Sequence, residues 1–97
     1  MKKKLLIFII TYKAKHRVYN VFKQINFRDL KNFITHILIS DDCSKDTTID
    51  FCKKIMREYK NTKLVFNKKN LGYGGNIKKC ISYAVKKKFD YAVMIHG

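Results

Sequence analysis

Asp41 and Asp42 stand side by side at the end of an apolar run, in Ile37-Leu-Ile-Ser-Asp-Asp-Cys-Ser-Lys-Asp46. Carboxylates delivered to the end of a strand can accept from a base N–H or a ribose hydroxyl. They can equally cap the turn that follows, or stay solvated. A second cluster is Asn70-Leu-Gly72-Tyr-Gly74-Gly75-Asn76, which holds three of the four glycines of the chain. Amides bared where such a segment opens a helix suit a phosphate, although the same glycines can serve only to turn the chain. Thr11 and Tyr12 follow the first apolar run. The ring of Tyr12 can stack on a base or pack over a sheet edge. His96 closes the last apolar run, and by itself it reads as a strand-end residue.

The elements that must position these groups follow from hydropathy patterning. Leu5–Thr11 is apolar throughout, as a strand covered on both faces is. Val18, Val21, Phe22 and Ile25 recur at helical spacing, predicting a helix from Arg17 to Asn26. Asn26–Asn32 reads as a loop or frayed turn. Ile34–Ser40 is a second strand, and Thr47–Tyr59 a second helix, opened by Thr47 with Asp50 in capping-box spacing. Lys63–Phe66 is a short third strand. Asn67–Asn76 reads as a loop, followed by a helix to Lys87 and a fourth strand, Tyr91–Ile95.

Strand and helix alternating in this way predict an α/β fold with a parallel sheet and right-handed crossovers. All strand carboxyl ends then lie on one rim. Tyr12, Asp41, Asp42, Asn70, Gly72 and His96 would share it, a set suited to a nucleotide. No repeat, linker or composition shift divides residues 1–97, which read as one unit.

Composition narrows the partners. Twenty-two Lys and Arg against seven acids give a formal charge of +15, which invites a polyanion. The lysines run through every segment, however, and Arg occurs only at Arg17, Arg28 and Arg57. A scattered basic surface is therefore expected, and nucleic acid is the disfavoured partner. Cys43, Cys52 and Cys80 are odd in number and form no Cys-x-x-Cys pair. Two of them fall on apolar helix faces, so a reducing, cytoplasmic setting is expected. His16, His36 and His96 lack metal-ligand spacing. The start, Met1-Lys-Lys-Lys before Leu5–Ile10, imitates a signal peptide, but its apolar run is too short and no small-residue cleavage site follows.

The order of the pieces resembles family 2 glycosyltransferases of the GT-A fold, in particular the polyprenyl- (dolichol-) phosphate sugar transferases. Ile9-Ile10-Thr11-Tyr12 matches the first-strand motif. Ser40-Asp41-Asp42-Cys43-Ser44-Lys45-Asp46 matches the paired-acid motif, with Cys43 where the family has Gly. Asn70-Leu-Gly72-Tyr-Gly74-Gly75 matches its Asn-x-Gly-x-Gly segment, and Tyr91–Gly97 the approach to its metal motif. A nucleotide-binding half of a GT-A domain, truncated, is what the resemblance implies for residues 1–97. It further implies a nucleotide-diphosphate sugar donor held by Thr11, Tyr12, Asp41, Asp42, Asn70, Gly72 and Gly74. A Mg or Mn ion would bridge the diphosphate, with His96 opening an incomplete metal motif. The acceptor would be a polyprenyl phosphate or a glycan, and the setting cytoplasmic, peripheral at the inner face of a membrane. Lys13 and Ala14 replace the polar–acid pair usual after the Tyr. With the metal-binding Asp and the acceptor half lying beyond position 97 in the family, the chain alone is expected to be inactive. The competing expectation is a small non-catalytic α/β module for a nucleotide or polyanion. In either case the uncovered sheet edge favours self-association.

Overall fold

A strand that is apolar at every position is stable only with both faces covered, and Leu5–Ile10 is covered on both. In the computed structural model, which describes Met1–Gly97, this segment lies within β1, Lys3–Thr11. Successive side chains leave a strand on opposite faces. Leu5, Ile7 and Ile9 pack with Ile37, Ile39, Val18, Phe22, Cys52 and Ile55. Leu6, Phe8 and Ile10 pack on the other face with Leu38, Cys80 and Ala84. The first face is roofed by α1 (Arg17–Lys23) and α2 (Thr48–Glu58), and the second by α3 (Gly72–Lys86).

The remaining strands are β2 (Phe33–Asp41), β3 (Thr62–Phe66) and β4 (Tyr91–His96). All pairings are parallel, in the order β3-β2-β1-β4. The chain winds outward from β1 to β3. It then crosses the opposite face through α3 and adds β4 on the far side of β1. The α/β fold with a parallel sheet is as expected from the alternation of elements.

Local details depart from the sequence reading, each for a physical reason. α1 ends at Lys23, and a short 3-10 turn, Phe27–Leu30, occupies the segment read as loop; the Asn26 side chain accepts from the Arg28 N–H at 3.1 Å to open it. Thr47 makes no side-chain cap on α2; Asp46 Oδ1 takes the Thr48 N–H instead, at 2.9 Å. α3 starts at Gly72, within the segment read as loop up to Asn76. Glycine is a poor helix former, so something outside the helix must hold this first turn. Cys52 and Cys80 are fully buried, as their places on apolar faces predict.

Candidate functional site

The strand order reverses between β1 and β4. In an open α/β sheet, a crevice at the carboxyl ends of two such strands is where ligands lodge. A cavity of about 270 Å³ opens there. Thr11 and Tyr12 line it from the end of β1, His96 and Gly97 from the end of β4, and Asp42 from the end of β2; Asn70, Gly72, Tyr73 and Asn76 form the wall where α3 begins. Six of the eight residues singled out from sequence thus converge. Asp41 and Gly74 do not line the cavity.

Asp42 is the group that holds the wall. Its Oδ1 accepts from the Leu71 N–H at 2.6 Å and from Asn67 Nδ2 at 3.1 Å. Its Oδ2 accepts from the Gly72 N–H at 2.9 Å, a donor shared with Asn70 Oδ1. The first N–H groups of a helix have no partner within it, and a carboxylate there also opposes the helix dipole favourably. Gly72 has a φ of +75°, a backbone state open to glycine and strained for other residues. That turn aims two consecutive amides at one carboxylate. The first anion position at α3 is therefore filled by the chain itself, and the next amides, those of Tyr73 and Gly74, follow in the same turn.

Behind Asp42 lies a buried polar network. Asn76 Nδ2 donates to the Ser40 carbonyl at 3.0 Å, and Ser40 Oγ donates to Asn76 Oδ1 at 2.5 Å. Asn67, which donates to Asp42, accepts from the Lys79 ammonium. Buried polar groups are stable when partnered in this way, and the network locks α3 to the ends of β2 and β3.

Asp41 is fully buried, with Oδ2 accepting from the Ser44 N–H at 2.8 Å and Oδ1 without a partner. Burial, opposed by the Ser44 hydrogen bonds and reinforced by the charges of Asp46 and Asp42, pushes its carboxyl above the ordinary carboxylate range. The adjacent acids thus have different surroundings: one ties a helix start beside the cavity, and the other is sealed beneath it.

Tyr73 and His96 stack with ring centroids 5.0 Å apart and planes 12° from parallel. Tyr12 stands across the cavity with its ring exposed and the Lys13 ammonium 5.2 Å from its centroid. Tyr73 was no candidate from sequence. Its signal was a large ring inside Gly-Tyr-Gly-Gly, where every neighbour is small.

No three His, Cys, Asp or Glu side chains gather into a group able to hold a metal. His96 lies flat against Tyr73, both oxygens of Asp42 are engaged, and Asp41 is sealed. A hard divalent cation needs several oxygen ligands, so these residues do not complete a site for one by themselves.

The sequence model described as glycosyl transferase family 2 matches residues 6–96. The chain belongs to glycosyltransferase family 2. Solved structures agree at the level of fold. The crystal structure of S. aureus TarS aligns over 96% of this chain with TM-score 0.67 and 19% identity. The mannosyltransferase PcManGT from Pyrobaculum calidifontis, in complex with GDP-Man and Mn2+, aligns over 87% with TM-score 0.64 and 16% identity. This family 2 chain spans 16% and 25% of the length of those two chains. No curated protein matches it. Its parallel sheet corresponds to the nucleotide-binding half of a GT-A fold.

Proposed function

We propose that the cavity between β1 and β4 binds the nucleoside diphosphate of a sugar donor, and that residues 1–97 are one donor-binding unit of a glycosyltransferase. The observation that carries this is the convergence of Tyr12, the Tyr73–His96 stack and the start of α3 on one cavity at the reversal of strand order. The Tyr12 ring offers a face to the base, Asn70 offers a polar edge, and Thr11 lines the floor beside them. Asp42 acts by holding α3, so that the amides of Tyr73 and Gly74 point toward the diphosphate. Asp41 supports the turn beneath through Ser44, and Gly74 contributes its amide.

In the whole transferase, an acceptor hydroxyl attacks the anomeric carbon. The C–O bond to the diphosphate breaks as the new glycosidic bond forms, and the hydroxyl proton passes to a base. No residue of 1–97 is assigned that base, because no carboxylate in the cavity is free. The GDP-Man and Mn2+ of the mannosyltransferase support a nucleotide-sugar donor and a divalent ion, Mg or Mn. That ion would take ligands other than the residues described. The acceptor is a polyprenyl phosphate or a glycan, and the setting is cytosolic and peripheral at the inner face of a membrane. The chain alone is proposed to turn over no nucleotide sugar.

A binding-only module is the second reading. It is favoured by the same consumption of the Asp42 carboxylate in structure.

Calorimetric titration of the chain with UDP and GDP tests the proposal. Saturable binding of at least one, weakened about tenfold or more by Tyr12→Ala through loss of base stacking, is expected. Binding of neither, or equal binding by the variant, would overturn it. The affinity should survive EDTA, since these residues do not complete a metal site by themselves. Product formed from a nucleotide sugar by the chain alone would refute its inactivity.

A further inference from the structure

The lysines that look scattered in sequence are gathered by the fold. Three loops meet at the carboxyl rim, and hydrogen bonds tie them together. The Lys13 N–H donates to Ser44 Oγ at 2.7 Å and the Lys15 N–H to Thr48 Oγ1 at 2.8 Å, joining the first loop to the second. The Asn67 N–H donates to the Asp41 carbonyl at 2.8 Å, and the Cys43 thiol lies 3.6 Å from the Lys68 carbonyl, joining the second loop to the third. Lys13, Lys15, Lys45, Lys68 and Lys69 therefore stand on one braced surface, all exposed. Asp41 and Asp42 are buried in that rim, and the half-exposed Asp46, which accepts from the Thr48 N–H beside Lys13 and Lys15, offsets only part of the charge. The one ion pair of the chain, Lys23–Glu58, involves none of these lysines.

The third loop adds a second feature. Phe66 and Leu71 bracket Lys68 and Lys69, and both are exposed, at 39% and 37%. Neither lines the cavity. A soluble phosphate polymer would match the lysines and leave these two side chains in water. Nucleic acid would be better served by Arg, and this rim has one, Arg17. Cations flanked by apolar side chains match a bilayer interface, where headgroup phosphates lie directly above the acyl boundary.

We propose that this rim docks on the surface of an anionic lipid bilayer, with Lys13, Lys15, Lys45, Lys68 and Lys69 on the headgroups and Phe66 and Leu71 at the acyl boundary. The inference rests on the peripheral placement proposed above and is independent of nucleotide binding. It turns the mouth of the cavity toward the lipid surface.

Co-sedimentation of the chain with vesicles tests it. Phosphatidylcholine vesicles containing phosphatidylserine should pellet the protein, and pure phosphatidylcholine should not. Each lysine at the surface contributes about fivefold in partitioning, so Lys45→Gln/Lys68→Gln/Lys69→Gln should weaken binding on the order of a hundredfold. Lys31→Gln/Lys60→Gln/Lys87→Gln removes the same charge from the opposite rim and should weaken it less than about fivefold. Phe66→Ser/Leu71→Ser should leave binding that high salt abolishes entirely. No pelleting of the parent chain would overturn both the peripheral placement and this surface. Equal losses in the two lysine triples would overturn the surface alone, leaving only a general charge effect. So would retention that a single-stranded oligonucleotide displaces and the Phe66/Leu71 variant does not alter. The parent chain's titrations with UDP and GDP are read without vesicles, so failure here leaves the donor reading standing.

Discussion

Cys43 has a φ of +70°, a left-handed conformation that costs a residue with a Cβ about 1–2 kcal/mol. The family pattern has Gly here, and the backbone keeps the bend that Gly would adopt freely. Cys43→Gly should stabilise the chain by roughly 0.5–1 kcal/mol, the relief of strain less the flexibility gained by the unfolded chain. Urea denaturation measures it, and a loss of stability would show that the thiol contact to Lys68 outweighs the strain. The sealed Asp41 makes a second prediction. Its carboxyl is raised mainly by burial, so the folded state holds its proton more tightly than the unfolded chain. Its contribution is present below the ordinary value of 3.8 and lost as pH rises through the raised value. Asp41→Asn removes the ionisation, so its stability relative to the parent should improve as pH rises above 3.8 and level off once the raised value is passed. A difference that does not change with pH would place the buried charge elsewhere. That the Asp-Asp pair stands at a strand end on the rim was legible in sequence, because two acids ending an apolar run are conspicuous. Their division of labour was not. Which carboxylate is sealed and which meets α3 depends on the alternation of faces along β2 and on amides about thirty residues away.

At the scale of elements, α3 shows most clearly what sequence could not show. Gly72, Gly74 and Gly75 are read as loop because each opposes helix formation, yet all lie in the first turn of a helix. The Asp42 carboxylate, Asn67 and Asn76 supply what the glycines lack, and none of those contacts is local. Asp42→Ala should therefore act first on the fold. It strips acceptors from the Leu71 and Gly72 amides and should cost about 2–4 kcal/mol, with nucleotide affinity falling because the cavity wall is loosened. Asp42→Asn keeps one acceptor and should lose less of both. Hydrogen exchange localises the effect: amides of α3 should lose protection before those of β1. Uniform loss would mean that Asp42 does not hold that helix. The strands were more legible than the helix ends. A run such as Leu5–Ile10 declares itself by composition, whereas a helix start is decided by whichever acceptor reaches its amides.

For the whole molecule, the parallel sheet and the rim that carries the site were readable from the alternation of strand and helix. The strand order, and with it the switch point between β1 and β4, rests on which face α3 crosses. The two edges of the sheet differ. β3 carries Lys63, a residue that discourages edge pairing. β4, Tyr91–His96, has no Lys, Arg, Asp or Glu, and Tyr91, Val93 and Met94 are exposed. The chain should self-associate through β4, more so as salt screens its charge of +15. Val93→Lys should restore a monomer in sedimentation velocity; a monomeric parent at high salt would contradict this.

The most direct test of the central claim, nucleotide binding at the switch point, is a map of amide chemical shifts as UDP or GDP is added to the labelled chain. Saturable shifts concentrated at Tyr12, Gly72, Tyr73, Gly74 and His96 are expected, with Lys63 and the far end of α2 unmoved. Shifts spread over the lysine-bearing surface, or centred away from the junction of β1 and β4, would contradict it.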